Sequence, residues 1–242
     1  VVITVTAAPL TITANDDTRV YGAANPTFTA SYTGFVNGDT AASLTTPVIL
    51  GTTAVPTSPV GTYPITATGA TSSNYTITHV DGTLTVTIAP LTVTADPQTK
   101  VYGTLDPVLT YQITTGALAS GDSLVGTLDR VAGETVGLYA IGQGTLSAGA
   151  NYTLTYVANN LDITAAPLTV TADPQTKVYG TLDPTFTYSV TAGTLQPGDS
   201  LTGTLDRALG ENVGLYAIGQ GTLSAGSNYT LTYVADKLTI TP

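Results

Sequence analysis

The chain has 242 residues, sixteen Asp and Glu against six Lys and Arg, and a formal charge of −10. It has no Cys, Met or Trp and a single His. These counts exclude disulfide frameworks, thiolate or Cys/His metal sites and cysteine nucleophiles, and they leave no basic patch for nucleic acid or an anionic membrane surface.

Thr is the dominant residue, with 51 copies or about a fifth of the chain. It is β-branched and favours strands, whereas the formers of exposed helices are scarce. The chain therefore reads as mainly β. No apolar run reaches the roughly 20 residues of a membrane-spanning helix, so no membrane insertion is expected. The start, Val1-Val2-Ile3-Thr4-Val5-Thr6, has the pattern of a strand and not of a signal peptide. It matches the closing strand of the units described next. Residues 1–7 are accordingly expected to be the tail of a preceding repeat, and the chain a piece of a longer array.

Three repeats follow. Ala-Pro-Leu-Thr begins at Ala8, Ala89 and Ala166. Each start is followed by Val-Tyr-Gly (Val20-Tyr21-Gly22, Val101-Tyr102-Gly103, Val178-Tyr179-Gly180). Asn-Pro or Asp-Pro comes next, then Gly-Asp (Gly38-Asp39, Gly121-Asp122, Gly198-Asp199), and Asn-Tyr-Thr opens the closing strands at Asn74, Asn151 and Asn228. The expected domains are 8–88, 89–165 and 166–242. The second and third match at 60 of 77 positions, and the first has a longer middle from Thr45 to Pro59.

In the second repeat, the alternation Leu91-Thr92-Val93-Thr94-Ala95 predicts a half-buried strand that Asp96-Pro97 breaks. Extended chain resumes over Lys100-Val101-Tyr102. Further strands are expected over 108–114, 125–128, 137–141, 152–157 and 161–164, with one helical turn over 119–124. The inward set is then Leu91, Val93, Val101, Tyr111, Ile113, Leu124, Leu128, Tyr139, Ile141, Leu154, Tyr156, Leu161 and Ile163. The junctions Thr87-Ile88-Ala89-Pro90 and Thr164-Ala165-Ala166-Pro167 hold no Gly or Ser spacer, and Pro fixes its own φ and extends the residue before it. Short, stiff linkers and domains lying end to end as an elongated rod are expected.

The recurring Ala-Pro-Leu-Thr, Val-Tyr-Gly, Tyr32-Thr33-Gly34-Phe35-Val36-Asn37-Gly38-Asp39 and Asn74-Tyr75-Thr76 segments resemble the MBG-type repeats (YGX class) of large bacterial adhesins. The resemblance implies small β-rich domains, β-grasp-like with an Ig-like β-sandwich as the alternative, in the repetitive region of an extracellular surface or secreted adhesin. It implies no catalytic residue.

Candidate sites are few. His79 has no Cys or second His to work with and stands where the other repeats have Tyr156 and Tyr233, so a core or strand-face aromatic position is expected. Ser-centred catalysis lacks a base. Asp129 and Glu134, imagined as a carboxylate pair, sit in a Gly-containing loop, and the first repeat lacks the equivalent Asp-Arg segment, so a solvated turn is expected. Structural calcium would want several clustered oxygens, and Asp16-Asp17 is the only adjacent acidic pair. Asn74, Asn151 and Asn228 form glycosylation sequons, but the favoured reading is that each ends a turn while the Tyr and Thr after it start a strand. A Lys-to-Asp amide crosslink through Lys100 or Lys177 is disfavoured as a shared device because Arg19 takes that place in the first repeat. Thr92 and Thr94 read as the polar face of a strand.

No enzyme, cofactor, catalytic or metal site is therefore expected. The expected role is a monomeric extender holding a binding domain away from the cell, its partners being neighbouring repeats of the same chain. The alternatives are direct recognition of a host or matrix glycan or protein, with the loop from Thr45 to Pro59 as the place to look, and homophilic contact through exposed strand edges.

Overall fold

Short alternating Thr/apolar segments can bury one face only by pairing into sheets and stacking them. The computed structural model, which describes residues 2–242, shows that outcome three times. The first repeat contains β1 (Ala8–Ala14), β2 (Asp17–Val20), β3 (Ala30–Thr33), β4 (Ile49–Gly51), β5 (Gly61–Thr68), β6 (Tyr75–Val80) and β7 (Gly82–Thr87). One sheet has the order β3-β1-β6, the other β2-β7-β5-β4. β1 runs parallel to β6 (Leu10 opposite Ile77) and antiparallel to β3. β7 runs parallel to β2 and antiparallel to β5 (Leu84 opposite Tyr63).

The second repeat supplies β8 (Ala89–Ala95), β9 (Gln98–Val101), β10 (Tyr111–Thr115), β11 (Asp129–Arg130), β12 (Gly137–Gly142), β13 (Tyr152–Val157) and β14 (Asn159–Thr164). The third supplies β15 (Ala166–Ala172), β16 (Gln175–Val178), β17 (Tyr188–Ala192), β18 (Asp206–Arg207), β19 (Gly214–Gly219), β20 (Tyr229–Val234) and β21 (Asp236–Thr241). The sheet orders recur as β10-β8-β13 with β11-β12-β14-β9, and as β17-β15-β20 with β16-β21-β19-β18. The fold is mainly β, a sandwich-like array of three repeats with two curled sheets each.

The described residues fall into two compact units. One holds the residues through Thr94 with Tyr111–Thr127 and Gly144–Val157; the other holds Ala95–Thr110, Leu128–Gln143 and Ala158–Pro242. The first and third repeats each lie within one unit, and the second contributes a sheet to each. In the first unit, Ala14 of β1 meets Ile65 and Ala67 of β5 and Leu84 of β7 between the sheets. In the second, Val170 and Ala172 of β15 meet Ile218 of β19 and Leu238 and Ile240 of β21.

Of the expected inward set, Leu91, Val93, Ile141, Leu161 and Ile163 are buried. Two members point outward. Val101 and Ile113 are exposed, and along β9 the buried position belongs to Lys100. Apolar-in, polar-out alternation fails there because the lysine's charge is met by acidic partners, described below. No helical turn forms over 119–124; among the described residues the single helical element is a 3₁₀ turn at Ala41–Ser43, where the Ala42 N–H donates to Thr40 Oγ1.

Only one residue separates consecutive strands at each repeat boundary: Ile88 between β7 and β8, and Ala165 between β14 and β15. Within each repeat, Asp81, Ala158 and Ala235 alone separate the last two strands. A one-residue link leaves little slack between a four-stranded sheet and the three-stranded sheet that follows it.

Candidate functional site

Two side-chain constellations recur in the molecule. The first lies inside the repeats. In the second repeat, Lys100 Nζ reaches Asp106 Oδ1 at 2.6 Å and Glu134 Oε2 at 2.5 Å. Arg130 forks onto the same carboxylates, Nε to Asp106 Oδ2 at 2.6 Å and Nη2 to Glu134 Oε1. Its guanidinium also lies 5.6 Å from the centre of the Tyr139 ring. The third repeat repeats the box with Lys177, Asp183, Arg207 and Glu211. Two cations and two carboxylates make each box neutral, which is what allows a lysine only 6% exposed to remain charged.

Titration follows the geometry. The hydrogen bonds from Arg130 and Lys100 pull the Asp106 pKa down to about 2, and those from Lys100 and Arg130 lower Glu134 as well. Burial opposes the charge on Lys100, but the bonds to Asp106 and Glu134 outweigh it and raise its pKa. The Lys, Asp and Glu that an amide crosslink requires are thus together in two repeats. Condensation needs a neutral amine and a protonated carboxyl, and here the arginine holds both carboxylates ionised.

The first repeat solves the same problem without acid. Arg19 Nε donates to Asn25 Oδ1 at 2.7 Å, and Nη2 donates to the Val55 carbonyl at 2.5 Å. Asn25 in turn donates to the Ala54 carbonyl at 2.7 Å. The longer loop after Thr45 supplies these carbonyls.

Acid should therefore weaken the boxes. A carboxylate held below its unfolded pKa stabilises the fold above about pH 4, and that contribution disappears as the pH falls through the folded value. With Asp106 held at about 2 but two-fifths exposed, the loss between about pH 4 and pH 2 is on the order of 1 kcal/mol. Denaturant midpoints followed from about pH 5 to pH 2 should fall less in an Asp106→Asn, Asp183→Asn variant than in the parent; parallel curves would refute the assignment.

The second constellation ties one repeat to the next. Within the first unit, β2 ends at Val-Tyr-Gly, and the Tyr21 N–H donates to the Thr87 carbonyl at 2.8 Å. This holds the Tyr21 ring against the following repeat. Its hydroxyl donates to Asp122 Oδ2 at 2.9 Å, and the Tyr152 hydroxyl donates to the same oxygen at 2.7 Å. The rings meet edge to face, centroids 5.4 Å apart. The Ala119 N–H donates to Tyr152 Oη at 2.7 Å, and the Val60 N–H donates to Asn151 Oδ1 at 3.1 Å. Gly22 has φ +84°, and a Cβ built there would lie 3.3 Å from Ala119 Cβ. The triplet ends in glycine because that backbone conformation and that close approach disfavour a side chain.

The second unit repeats the clasp. Tyr102 and Tyr229 donate to Asp199 Oδ2 at 2.9 and 2.6 Å, their rings 5.4 Å apart and edge to face. The Gln196 N–H donates to Tyr229 Oη at 2.7 Å, and the Val136 N–H donates to Asn228 Oδ1 at 3.1 Å. Burial raises the pKa values of Tyr21, Tyr152 and Tyr229, and the aspartate bonds add to it. For Tyr102 the bond to Asp199 leads and burial adds.

Other residues singled out in the sequence take modest places. His79 is exposed on β6 opposite Ile12. Asp129 and Glu134 are divided: Glu134 belongs to the ion box, and Asp129 lies on β11 opposite Gly142. Asp16 and Asp17 accept backbone N–H groups of Thr83 and Thr18. Asn151 and Asn228, read as turn residues, prove to be clasp residues. The tyrosine–aspartate pairing crosses a repeat boundary, so inspection of one repeat at a time missed it. The available signal was the recurrence of the same Tyr, Asp and Tyr in all three units.

Fold and clasp together define a class: tandem two-sheet β repeats, the second and the third each capturing a tyrosine of the repeat before it. The MBG domain (YGX type) family matches the chain three times, over residues 10–85, 91–162 and 168–239, and the chain belongs to that family. Membership points to the repeat region of a surface protein. No curated protein matches the chain.

Proposed function

We propose that the chain is a non-enzymatic extender segment of a bacterial surface or secreted adhesin, holding a binding domain away from the cell. The observation that carries this reading is the use made of the recurring polar residues. At the two boundaries, the Val-Tyr-Gly tyrosine of the earlier repeat bonds to the Gly-Asp aspartate of the later one beside its closing Tyr, the closing Asn accepts a valine N–H from the earlier repeat, and the link between strands is one residue long. Such a junction transmits orientation from unit to unit and couples nearest neighbours. Family membership supports a surface protein, and the ion boxes stabilise small repeats that have no disulfides.

Solution scattering tests the reading. A compact chain of this length has a radius of gyration near 18 Å; a spacer should give a value well above that, with a pair-distance distribution skewed to long vectors. A compact particle would remove the extender role. Saturable binding to a glycan array would transfer the function to direct recognition.

A further inference from the structure

The segments that open and close a repeat run side by side. In the third repeat β15 lies parallel to β20, from Ala166 opposite Tyr229 to Thr171 opposite Val234, and β16 lies parallel to β21, from Gln175 opposite Leu238 to Val178 opposite Thr241. The register does not slip between the two sheets: four residues beyond Thr171 and Val234, both segments have advanced equally and Gln175 faces Leu238. The first repeat does the same, Thr13 opposite Val80 being followed by Asp17 opposite Leu84. In the second repeat the two parallel ladders, β8 with β13 and β9 with β14, each occur within the unit that holds them.

Both ends of the pairing are closed. The Ala166 N–H donates to the Asn228 carbonyl at 2.9 Å, where the chain enters the repeat, and the Tyr179 N–H donates to the Thr241 carbonyl at 2.8 Å, where the closing strand ends. Thr241 Oγ1 adds a bond to the Lys177 carbonyl at 3.3 Å. The other repeats have the same three bonds, with Ala8, Tyr21 and Thr87 in the first and Ala89, Tyr102 and Thr164 in the second. Thr87 and Thr164 lead directly into the one-residue links. Each ladder joins a central strand to an edge strand, and the central strands carry the core: Leu168, Val170, Leu238 and Ile240 are at most 1% exposed. Water has little access from that face to replace a ladder bond. The short edge strand β16 is held sideways as well, by the bonds from Lys177 to Asp183 and Glu211.

We propose that these paired segments form a tension clamp, so that a pull along the array loads each repeat in shear. The direction follows from the topology. Tension enters at the N-terminal end of the opening segment and leaves at the C-terminal end of the closing segment. In a parallel pair those are opposite ends of the ladder, and its bonds are strained together. In an antiparallel pair they would be the same end, and the bonds would peel one at a time. The clamp deepens the extender reading and rests on it for its use, since a spacer between a cell and an attached target carries the pull on that attachment.

Single-molecule pulling of the full chain, held by its two ends, tests it. Each repeat should rupture as one event that frees about 200–250 Å of chain, the length enclosed by its two ladders. The chain has no cysteine, so a Pro167→Cys, Thr230→Cys variant can instead be held at those two positions, which are exposed and face one another at the start of β15 and β20. Peeling from there should open the third repeat at a force several-fold lower than end-to-end pulling. Pro9→Cys with Thr76→Cys makes the same comparison in the first repeat if that variant fails to fold. Forced rupture follows the unfolding rate, so with equal denaturant midpoints in variant and parent a difference in force reports the direction of pull and not stability. Equal forces in the two geometries, or end-to-end extension without a resolved peak, would overturn the clamp whatever scattering says of the extender. A compact particle that still ruptured at the higher force in shear would remove the extender role and leave the clamp.

Discussion

Tyr21→Ala should destabilise the unit that contains it by about 3–5 kcal/mol, whereas Tyr179→Ala in the same triplet should change stability by less than about 0.5 kcal/mol. The difference comes only from the neighbour. Tyr21 packs edge to face on Tyr152, shares a buried cluster with Ala89 and Leu91 of the following repeat and bonds to Asp122; Tyr179 faces solvent. Tyr21→Phe keeps the ring and loses one bond to a charged acceptor, about 1.5–3 kcal/mol. Asp122→Ala should cost at least as much as Tyr21→Phe, because two hydroxyls lose one oxygen. Denaturant unfolding checks all four, and amide exchange adds a second readout: Tyr21→Ala should speed exchange in β8 and β13 of the following repeat as well as in β2. Equal costs at Tyr21 and Tyr179 would show that the clasp does not couple repeats.

Much of the fold was legible because it depends on local periodicity. Thr/apolar alternation placed β8, β13 and β14 to within two residues, and self-comparison found the three units. What was not legible depends on partners distant in sequence. Lys100 looked like the outward member of a strand whose inward residue was Val101, since charge ordinarily faces water. The pattern inverts because Asp106, six positions on, and Arg130 and Glu134, thirty and more positions on, turn around the lysine into a neutral box. The clasp was hidden for a related reason. Tyr21 and Asp122 are separated by 101 positions and belong to different repeats, so aligning the repeats laid each tyrosine beside its counterparts and not beside its partner. Val-Tyr-Gly read as a strand end with a turn, which is correct locally, yet its function lies in what the tyrosine touches one repeat later.

The Lys100 box and the Arg19 cap occupy equivalent positions, and their difference gives the second large effect. Lys100→Met keeps the stem length and removes the charge. It takes one partner from each of two carboxylates, although Arg130 still holds both. The expected cost near neutral pH is about 2–3 kcal/mol, below that of breaking a fully buried pair because Asp106 and Glu134 reach solvent. Arg19→Met should cost a comparable amount by releasing Asn25 and the Val55 and Pro56 carbonyls. The two costs should diverge in acid. Asp106 and Glu134 take up protons as the pH falls, so the penalty of Lys100→Met shrinks toward zero by about pH 2. Amide and carbonyl oxygens do not titrate there, so the penalty of Arg19→Met stays flat. Lys100→Arg should not reproduce the first repeat's solution, because a planar fork in that space requires Asn25 and the loop carbonyls that the second repeat lacks. Denaturation of each variant and the parent at neutral pH and at about pH 2 separates the cases. An Arg19 penalty that vanished with the Lys100 penalty would mean that general acid expansion, and not the box carboxylates, sets the pH response.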